Sequence, residues 1–446
     1  MKIIRKNNFG SSSEYLIQKY YGKYCGIFDQ ISIFKNLGMW KEQFNLVAPV
    51  IPGYAAELYG ENFRVDYHLG GFSLLAENSF IRAEGEAIER YSHIMAEAKL
   101  RKQIICSSYL ELKATGKKVC PLKYINVYSD EQLSNIRLPN FTRKYIDEKD
   151  NIEWICCKSI YNNEPVYIPA QMFFLMSSNQ TEKRYFMSVS TGTAAHKTME
   201  KALENALMEY LQLDSMMLSW YVYGKMQRIS RVGETIQKLL DDIRYLKEYE
   251  VIFIDMSLDK PVYVIGCFIR NKLKKYPYFA FGMQADIDLE KAMYRSFMEG
   301  YANICPRLAT RSEGEKINFS QLLDKMKKNQ IYNLNDNTDF YLSENGIDII
   351  DKWLEKILTD EKGKKNTKKY AHKNVLNEII YYLSGISEYA CYFDITSEEY
   401  KEDNWFVIRT IIPELLPLCM PSLPYENHPR VLENGGVKNR CIHPCP

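Results

Sequence analysis

Hydrophobic and polar positions along the chain repeat one arrangement three times: a turn-rich segment leads into an amphipathic helix with acidic residues in its middle. The turn-rich segments and the helices that follow them are 68–73 before a helix near 76–97, 190–195 before a helix near 198–213, and 281–286 before a helix near 287–303. The second and third helices align without a gap. This alignment indicates a structural repeat, although amphipathic helices also resemble one another by chance.

Strand-like runs rich in β-branched and aromatic residues lie at 164–169, 251–255 and 262–269. Pro165 and Pro169 bound the first run, so we expect a short strand or one at a sheet edge. Helices and strands alternate along the chain, which is typical of a mixed architecture of the α/β or α+β type, and we predict the α+β class.

Two further stretches differ from the rest of the chain in composition. Lysines crowd 362–370, which predicts a solvated loop. Prolines become frequent in 413–446, which predicts an extended tail laid over a surface.

Composition excludes several classes of protein. The 446 residues are 46% hydrophobic and 26% charged, as expected for a globular chain with a sizeable core. The formal charge of +2 argues against nucleic-acid binding driven by bulk charge. Because the chain has no apolar run of ~18–20 residues and no signal-peptide pattern, we expect no membrane span and a cytoplasmic location. The 11 cysteines are then mostly buried thiols.

The first predicted helix carries a polar stripe of Glu86, Glu89, Arg90 and His93. Two carboxylates three residues apart can both reach a hard cation, and an arginine beside them can hold a phosphate. A row of solvated Glu–Arg ion pairs accounts for the same spacing, and the stripe alone does not separate these interpretations.

The other two helices place polar residues between apolar flanks. Asn205, Glu209 and Gln212 form the stripe of the second helix, and Arg295 and Glu299 lie one turn apart on the third. A buried carboxylate must be paired or metal-bound. Glu209 is therefore a candidate metal ligand, with a hydrogen-bonded structural glutamate as the alternative. For the third helix the alternative is an internal ion pair.

The familiar phosphate-binding and nucleophile motifs are missing from the sequence. It contains no Walker-type loop, no Gly-x-Gly-x-x-Gly after a strand and no Gly-x-Ser-x-Gly elbow. We therefore expect any nucleotide site to be built from carboxylates and magnesium.

Three ordered segments resemble the motifs of the YcaO family of ATP-dependent enzymes. Residues 83–90, Ala-Glu-Gly-Glu-Ala-Ile-Glu-Arg, resemble its Ser-x-x-Glu-Ala-x-Glu-Arg motif. Residues 190–195 with 206–209 are similar to its second block. The ending His-Pro-Cys-Pro at 443–446 is similar to its proline-rich C-terminus, which inserts into the active site.

The resemblance covers about residue 65 to the last residue and is nearest to the D proteins of streptolysin S-type pathways. It implies an N-terminal extension at 1–64 and a YcaO-like catalytic domain at 65–446, with mixed sheets, packed helices and a proline-rich tail. The implied activity is azoline formation on a ribosomally made precursor peptide. A Cys, Ser or Thr side chain adds to the preceding carbonyl, ATP phosphorylates the resulting oxyanion, and phosphate leaves as the thiazoline or oxazoline closes.

The resemblance also assigns the site residues. It implies that the metal ligands for Mg2+ are Glu86, Glu89 and Glu209. It implies a contact to the nucleotide phosphate from Arg90 beside Glu86, and we predict further contacts to ATP from Glu299, Asn205 and Gln212. It implies that Pro444 and Pro446 lie at the reacting centre, where we also place Arg295.

The chain departs from the family pattern at four places. Ala83 replaces the serine of the first motif, which removes one hydroxyl contact to the nucleotide. Gln212 stands where many relatives carry glutamate, which weakens the metal site on that side. No clear third block is present, so Arg295 and Glu299 stand in for it, and Ile442 replaces the first proline of the tail. These departures bear on the nucleotide pocket more than on the class of reaction.

Members of this type act beside other proteins, so the resemblance implies a precursor peptide and a separate E1-like leader-binding chain as partners. It leaves open a flavin-dependent dehydrogenase that oxidises the rings and a homodimer within the complex. Two other functions remain: the same ATP chemistry giving a thioamide or an amidine, or a non-catalytic scaffold of a peptide-modifying complex.

Overall fold

A computed structural model gives the fold of most of the chain. It describes residues 19–22, 27–28, 30–35, 44–60, 69–176, 183–223, 226–242, 244–309, 317–357 and 374–445. Most of the predicted N-terminal extension, the lysine-rich stretch at 362–370 and Pro446 lie outside these residues.

Strands and helices alternate through the described residues. The strands are β1 (Gln30–Lys35), β2 (Asn45–Val50), β3 (Gly71–Ser73), β4 (Ile105–Ser108), β5 (Lys118–Val119), β6 (Asn151–Ser159), β7 (Pro165–Pro169), β8 (Thr193–His196), β9 (Gln227–Arg228), β10 (Tyr249–Asp255), β11 (Tyr263–Asn271), β12 (Phe279–Asp286), β13 (Cys391–Asp394) and β14 (Phe406–Ile411). The helices are α1 (Tyr54–Tyr59), α2 (Ala76–Leu100), α3 (Tyr109–Ala114), α4 (Asp130–Asn135), α5 (Ala170–Phe173), α6 (Met199–Tyr221), α7 (Glu234–Asp242), α8 (Leu289–Ala309), α9 (Phe319–Lys327), α10 (Leu334–Tyr341), α11 (Glu344–Ile357), α12 (Val375–Ser384), α13 (Glu398–Lys401) and α14 (Pro429–Glu433).

The described strands form three sheets. The largest runs β5-β7-β6-β13-β14-β8, with β4 beside β6; the second runs β12-β11-β10-β9, and the third β1-β2-β3. Neighbouring strands in these ladders are antiparallel except β5 and β7. The three long helices lie on the sheets: α2 on β2 and β3, α6 on β8 and β14, and α8 on β11 and β12. The predicted α+β class is confirmed.

Apolar burial holds this arrangement together. One large cluster of buried side chains joins α2, α6 and the largest sheet, and a second joins α8 to the sheet of β10–β12. In the second cluster Phe297 on α8 packs against Ile265 and Ile269 of β11. Burying such side chains stabilises the fold by about 1.5–3 kcal/mol each. The long helices therefore follow from the 3.6-residue spacing of apolar positions seen in the sequence.

Two close helix–strand approaches explain why parts of the chain look turn-rich in sequence. A Cβ added to Gly71 of β3 would lie 1.9 Å from the carbonyl oxygen of Ser79 in α2. A Cβ added to Gly282 of β12 would lie 2.2 Å from the carbonyl oxygen of Ser296 in α8. Glycine is used here for close packing rather than for turning. The prediction that 281–286 forms a turn is therefore wrong, because these residues lie inside β12.

Other boundaries shift less. The predicted strand at 164–169 is the five-residue β7, which is short as expected and lies between β5 and β6. The three long helices run further toward the C-terminus than predicted, to Leu100, Tyr221 and Ala309. The proline-rich tail is mostly irregular, but α14 adds one short helix to it. In the part of the chain that the structure describes, every helix is too short or too polar to cross a membrane.

Candidate active site

The three long helices share one hydrogen-bonding arrangement. Each presents a glutamate to a backbone N–H at or beside the strand on which the helix lies. The pairs of donor N–H and acceptor Oε2 are Gly70 and Glu86 at 2.8 Å, Gly192 and Glu209 at 3.0 Å, and Met283 and Glu299 at 2.8 Å. The arrangement that repeats three times in the sequence thus places three glutamates in the same way. Each carboxylate accepts a hydrogen bond from the backbone in or just before the strand that its helix covers.

The carboxylates of these glutamates and of Glu89 lie close enough to perturb one another. Burial raises the pKa of Glu89 well above its usual range; Arg90 opposes the rise, and the carboxylates of Glu209 and Glu86 add to it. Burial likewise raises the pKa of Glu299 to about 7, with Glu86 and Glu209 again adding to the rise. Four half-buried carboxylates from three helices therefore converge.

The arginines near this cluster do not balance its charge. Arg90 lowers the pKa of Glu86, Glu89 and Glu209, and the buried Arg409 lowers that of Glu89 and Glu209. Four ionised glutamates and two arginines leave a formal charge of −2. Burial nevertheless holds the pKa of Glu209 near 7. A divalent cation would supply the missing charge.

Magnesium fits this donor set. Among the described residues no three His, Cys, Asp or Glu side chains lie together as a ready-made metal cage. Mg2+ needs none, since it binds through one or two carboxylates together with phosphate oxygens and water. Hard carboxylate oxygens contributed by three helices suit an ion that is delivered with a nucleotide.

The third helix does not contain the ion pair that its sequence allowed. Within the described residues no ion pair joins Arg295 to Glu299. Arg295 instead lies near Arg82 of α2, whose pKa it lowers after the larger effect of burial. Arg82 donates to the carbonyl oxygen of Phe72 at 2.7 Å. The structure thus leaves Arg295 as a cation without a carboxylate partner in the described chain, beside a second arginine.

Gln212 and Asn205 differ in how they are held. The side-chain oxygen of Gln212 accepts from the Ala285 N–H of β12 at 2.7 Å, so it bridges α6 to the neighbouring sheet. This hydrogen bond has the same arrangement as those of the three glutamates, but its acceptor is an uncharged amide oxygen. Asn205 is half-buried on the same helix, and its side chain makes no hydrogen bond to the described residues. Its amide is therefore available to a ligand.

The C-terminal tail reaches the carboxylates. The side-chain amide of Asn337 in α10 donates to the carbonyl oxygens of His443 at 2.9 Å and Cys445 at 2.8 Å. Burial raises the pKa of the Cys445 thiol, and the nearby carboxylate of Glu299 raises it further. Pro444 lies between these two clamped carbonyls and is buried. The tail is thus fixed next to the acidic cluster up to the last described residue.

The sequence analysis missed Arg409 of β14. It is fully buried behind Glu89 and Glu209, opposite Thr193 in the β8–β14 ladder. The sequence feature that could have identified Arg409 is a single arginine inside the apolar run Phe-Val-Ile-Arg-Thr-Ile-Ile at 406–412. A charge in a run with strand propensity must be satisfied when it is buried, which marks it as a candidate.

The fold and the converging carboxylates suit a class of enzyme in which acidic side chains on separate helices meet a polyanion through a divalent cation. The chain belongs to the YcaO family: the family model described as YcaO cyclodehydratase, ATP- and Mg2+-binding, matches residues 70–416. The resemblance found in the sequence is confirmed, and ATP and Mg2+ are the cofactors of this family. No curated protein is similar enough in sequence to this chain to count as a match.

Several solved structures share the fold. A heterocyclase in complex with substrate and cofactor is 16% identical, with a TM-score of 0.67 over 91% of this chain and 52% of that one. A chain of the E. coli microcin synthetase McbBCD complex with pro-MccB17 bound is 16% identical, with a TM-score of 0.64 over 96% of this chain and 99% of that one. YcaO from Methanopyrus kandleri, bound with AMPPCP and Mg2+, is 14% identical, with a TM-score of 0.53 over 90% and 88%.

The chain spans about half the length of the two heterocyclases it matches, 52% of one and 54% of TruD. At these identities the likeness shows the fold. Residue roles therefore rest on the geometry of this chain and on its family motifs.

Proposed function

We propose that this chain catalyses ATP-dependent cyclodehydration of Cys, Ser or Thr residues in a ribosomally made precursor peptide, giving thiazolines or oxazolines. One observation carries the proposal: four half-buried glutamates from three helices converge beside Arg90 and the clamped C-terminal tail. Such a site suits a nucleotide at the cation side and a peptide at the tail side.

The proposed reaction removes one water from the peptide for each ring. The thiol or hydroxyl of the substrate adds to the preceding carbonyl carbon and loses its proton. The former amide oxygen takes the γ-phosphoryl group of ATP, and ADP is released as the bond from the γ-phosphorus to the bridging oxygen breaks. That oxygen then leaves as phosphate when the amide nitrogen gives up its proton and the C=N bond forms. Phosphate thereby replaces hydroxide, a far poorer leaving group.

The residues of the chain have separate parts in this proposal. Glu86, Glu89 and Glu209 are the carboxylates available to the metal ion, of which Mg2+ needs one or two beside phosphate oxygens and water, and Arg90 orients a phosphate of the nucleotide. Bound Mg2+ would neutralise charge on the phosphoryl oxygens.

Other residues are proposed to act on the nucleotide and on the peptide. Glu299, Asn205 and Gln212 line the nucleotide side of the cluster. Arg295, beside Arg82, is a cation available to the phosphoryl group as it is transferred. Pro444, held by the Asn337 clamp, supports the peptide as it cyclises, and we assign the same role to Pro446, which lies outside the described residues.

The proposal includes partner chains. The microcin synthetase chain that this one matches over 99% of its length comes from a complex described with a bound pro-peptide. By analogy we propose a separate leader-binding E1-like protein that delivers the precursor.

Mass spectrometry tests the reaction directly. The chain, its partner, the precursor and Mg-ATP should give a product lighter by one water per ring. A precursor of unchanged mass, with ATP still present, contradicts the proposal and favours a scaffold. A gain equal to sulfur minus oxygen indicates thioamide formation instead.

Matched variants test the metal assignment. Glu209→Gln keeps the size and the hydrogen bond from Gly192 but removes the charge, so turnover should fall at least 100-fold. Glu164→Gln, an exposed glutamate between β6 and β7, is the control and should keep full activity. Equal activity in the two variants would refute the role of Glu209.

A further inference from the structure

Arg409 on β14 is buried and forms no ion pair among the described residues, although the carboxylates of Glu209 and Glu89 are near enough to raise its pKa against the larger effect of burial. Its guanidinium donates to the carbonyl oxygens of Thr191, of Val189 at 2.9 Å and of Met172 at 3.1 Å, and to the Thr193 hydroxyl at 3.1 Å. All four acceptors are neutral. Burying a charge in this way is costly, so it calls for an explanation beyond packing.

Three of the four acceptors surround one turn of the active site. Val189, Thr191 and Thr193 flank Gly192, which has φ +83 and donates its N–H to the carboxylate of Glu209 at 3.0 Å. The direction of this N–H is therefore set by the turn that Arg409 holds. A glycine is required there, since a Cβ would lie 2.6 Å from the hydroxyl of the neighbouring Thr410.

The hydrogen bonds continue from this turn to helix α2. The Thr193 hydroxyl lies 3.3 Å from Nδ1 of His93, and Nε2 of His93 lies 3.2 Å from the carbonyl oxygen of Phe173. His93 follows Glu89 by one turn on the same stripe. One chain of contacts thus links the strand behind the site to two of the helices that carry carboxylates.

The groups at the two ends of this series of hydrogen bonds determine which atom donates and which accepts at each step. Arg409 can only donate and the Phe173 carbonyl can only accept. Nε2 of His93 therefore carries the hydrogen, Nδ1 is bare, and the Thr193 hydroxyl donates to Nδ1 while it accepts from Arg409. A neutral ring agrees with the pKa of His93, which burial and the charge of Arg409 hold well below its usual value.

We propose that Arg409, Thr193 and His93 form a positioning chain that holds Glu209 and Glu89 at a fixed separation for a magnesium-bound nucleotide. The inference rests on the proposed function, and none of the three residues touches the ligand. Hydrogen-bonded groups behind metal ligands commonly change affinity by about 10–100-fold when they are removed.

The spectroscopic part of the test uses protein labelled with 15N at histidine. Of the six histidines, His93 is identified by the signal lost in His93→Gln. At pH 7 it should show a protonated Nε2 and a bare Nδ1. A protonated Nδ1, alone or with Nε2, overturns the proposed chain, whether or not the enzyme binds nucleotide.

The binding part uses AMPPCP with Mg2+ and calorimetry on the full chain. Thr193→Val removes the hydroxyl at nearly constant size and should weaken binding about 10–100-fold. Thr193→Ser restores the hydroxyl and should bind within about threefold of the wild type. Thr396→Val removes another buried bridging hydroxyl, which accepts from the Val407 N–H at 2.8 Å and donates to the carboxylate of Asp394 instead of joining the Arg409–His93 contacts, and should not weaken binding. Thr193→Ala replaces Thr193→Val if the latter does not fold.

The outcomes separate the two proposals. Wild-type affinity in Thr193→Val, or an equal loss in Thr396→Val, overturns the positioning role. A wild-type chain that does not bind AMPPCP with Mg2+ counts against the proposed function, and the His93 signal then decides the positioning chain by itself.

Discussion

Replacing Glu299 with glutamine should make the protein more stable at pH 8 while weakening its hold on the magnesium-bound nucleotide. Burial raises the pKa of Glu299 from 4.5 to about 7, opposed by the Met283 N–H and reinforced by Glu86 and Glu209. Glutamine keeps the size of the side chain and can still accept from the Met283 N–H. The substitution therefore removes mainly the buried charge.

The direction in which pH changes the stability depends on whether the Glu299 carboxyl ionises first in the folded protein or in the unfolded chain. Between pH 4.5 and 7 the carboxyl of the unfolded chain loses its proton before that of the folded protein, so rising pH lowers stability across this window. Because one pKa unit corresponds to ~1.36 kcal/mol, the loss above pH 7 is up to about 3 kcal/mol. Glutamine does not ionise, so the variant should match the wild type at pH 4.5 and exceed it at pH 8.

Thermal unfolding measures this difference. An unfolding entropy of about 2.1 cal/mol/K per residue, over 446 residues, converts 3 kcal/mol into a Tm increase of about 3 °C. AMPPCP with Mg2+ should raise the Tm of the wild type more than that of the variant, since the cation offsets the charge that glutamine lacks. Glu164→Gln, on the surface, should leave both Tm values unchanged.

A Tm difference that is the same at pH 5 and pH 8 would refute the reasoning, because it would mean that the Glu299 carboxyl ionises as freely in the folded protein as in the unfolded chain. A variant that gains stability but binds the nucleotide as well as the wild type would separate Glu299 from the nucleotide site.

Three other substitutions test the framework around the site. Asp214→Asn should cost about 3–5 kcal/mol in urea unfolding, because Lys260 at 2.8 Å and Arg430 at 2.6 Å lose a fully buried counter-ion. Those cations lower the Asp214 pKa despite its burial, so the wild-type advantage should shrink as the pH falls below about 4, and an advantage that does not shrink there would contradict the reasoning. Gly282→Ala should cost about 1–3 kcal/mol by forcing α8 away from β12, and an unchanged urea midpoint would show that the helix moves freely. Asn337→Leu removes two hydrogen bonds to the tail, so limited proteolysis should cut the tail faster and turnover should fall; a tail as resistant as the wild type's would show that apolar packing alone holds it.

Local patterns in the sequence carried much of the site. The stripe of Glu86 and Glu89 with Arg90 depends only on helical spacing, which neighbouring residues decide among themselves. The same holds for Glu209 on the second helix. Family motifs then supplied the roles of these side chains, and the family match bears out the assignment to YcaO.

Contacts between distant residues were not readable in this way. The hydrogen bond from the Met283 N–H to Glu299 requires that residues 279–286 form strand β12. In the sequence Gly282 indicates a turn, whereas in the structure it allows helix α8 to pack closely on the strand. Whether Arg295 pairs with Glu299 depends on which way each side chain faces in the folded protein, and spacing alone permitted the pair.

The sequence by itself determined the long helices, the acidic stripes and the proline-rich tail, because apolar periodicity and residue chemistry act over a few neighbouring positions. Only the tertiary structure decided that these stripes meet, that Arg409 lies behind them and that Cys445 of the tail lies near Glu299. Arg409 bonds to Thr193 across 216 positions of the chain. Such a bond depends on strand order and on the exclusion of water, which appear only once the whole core has closed.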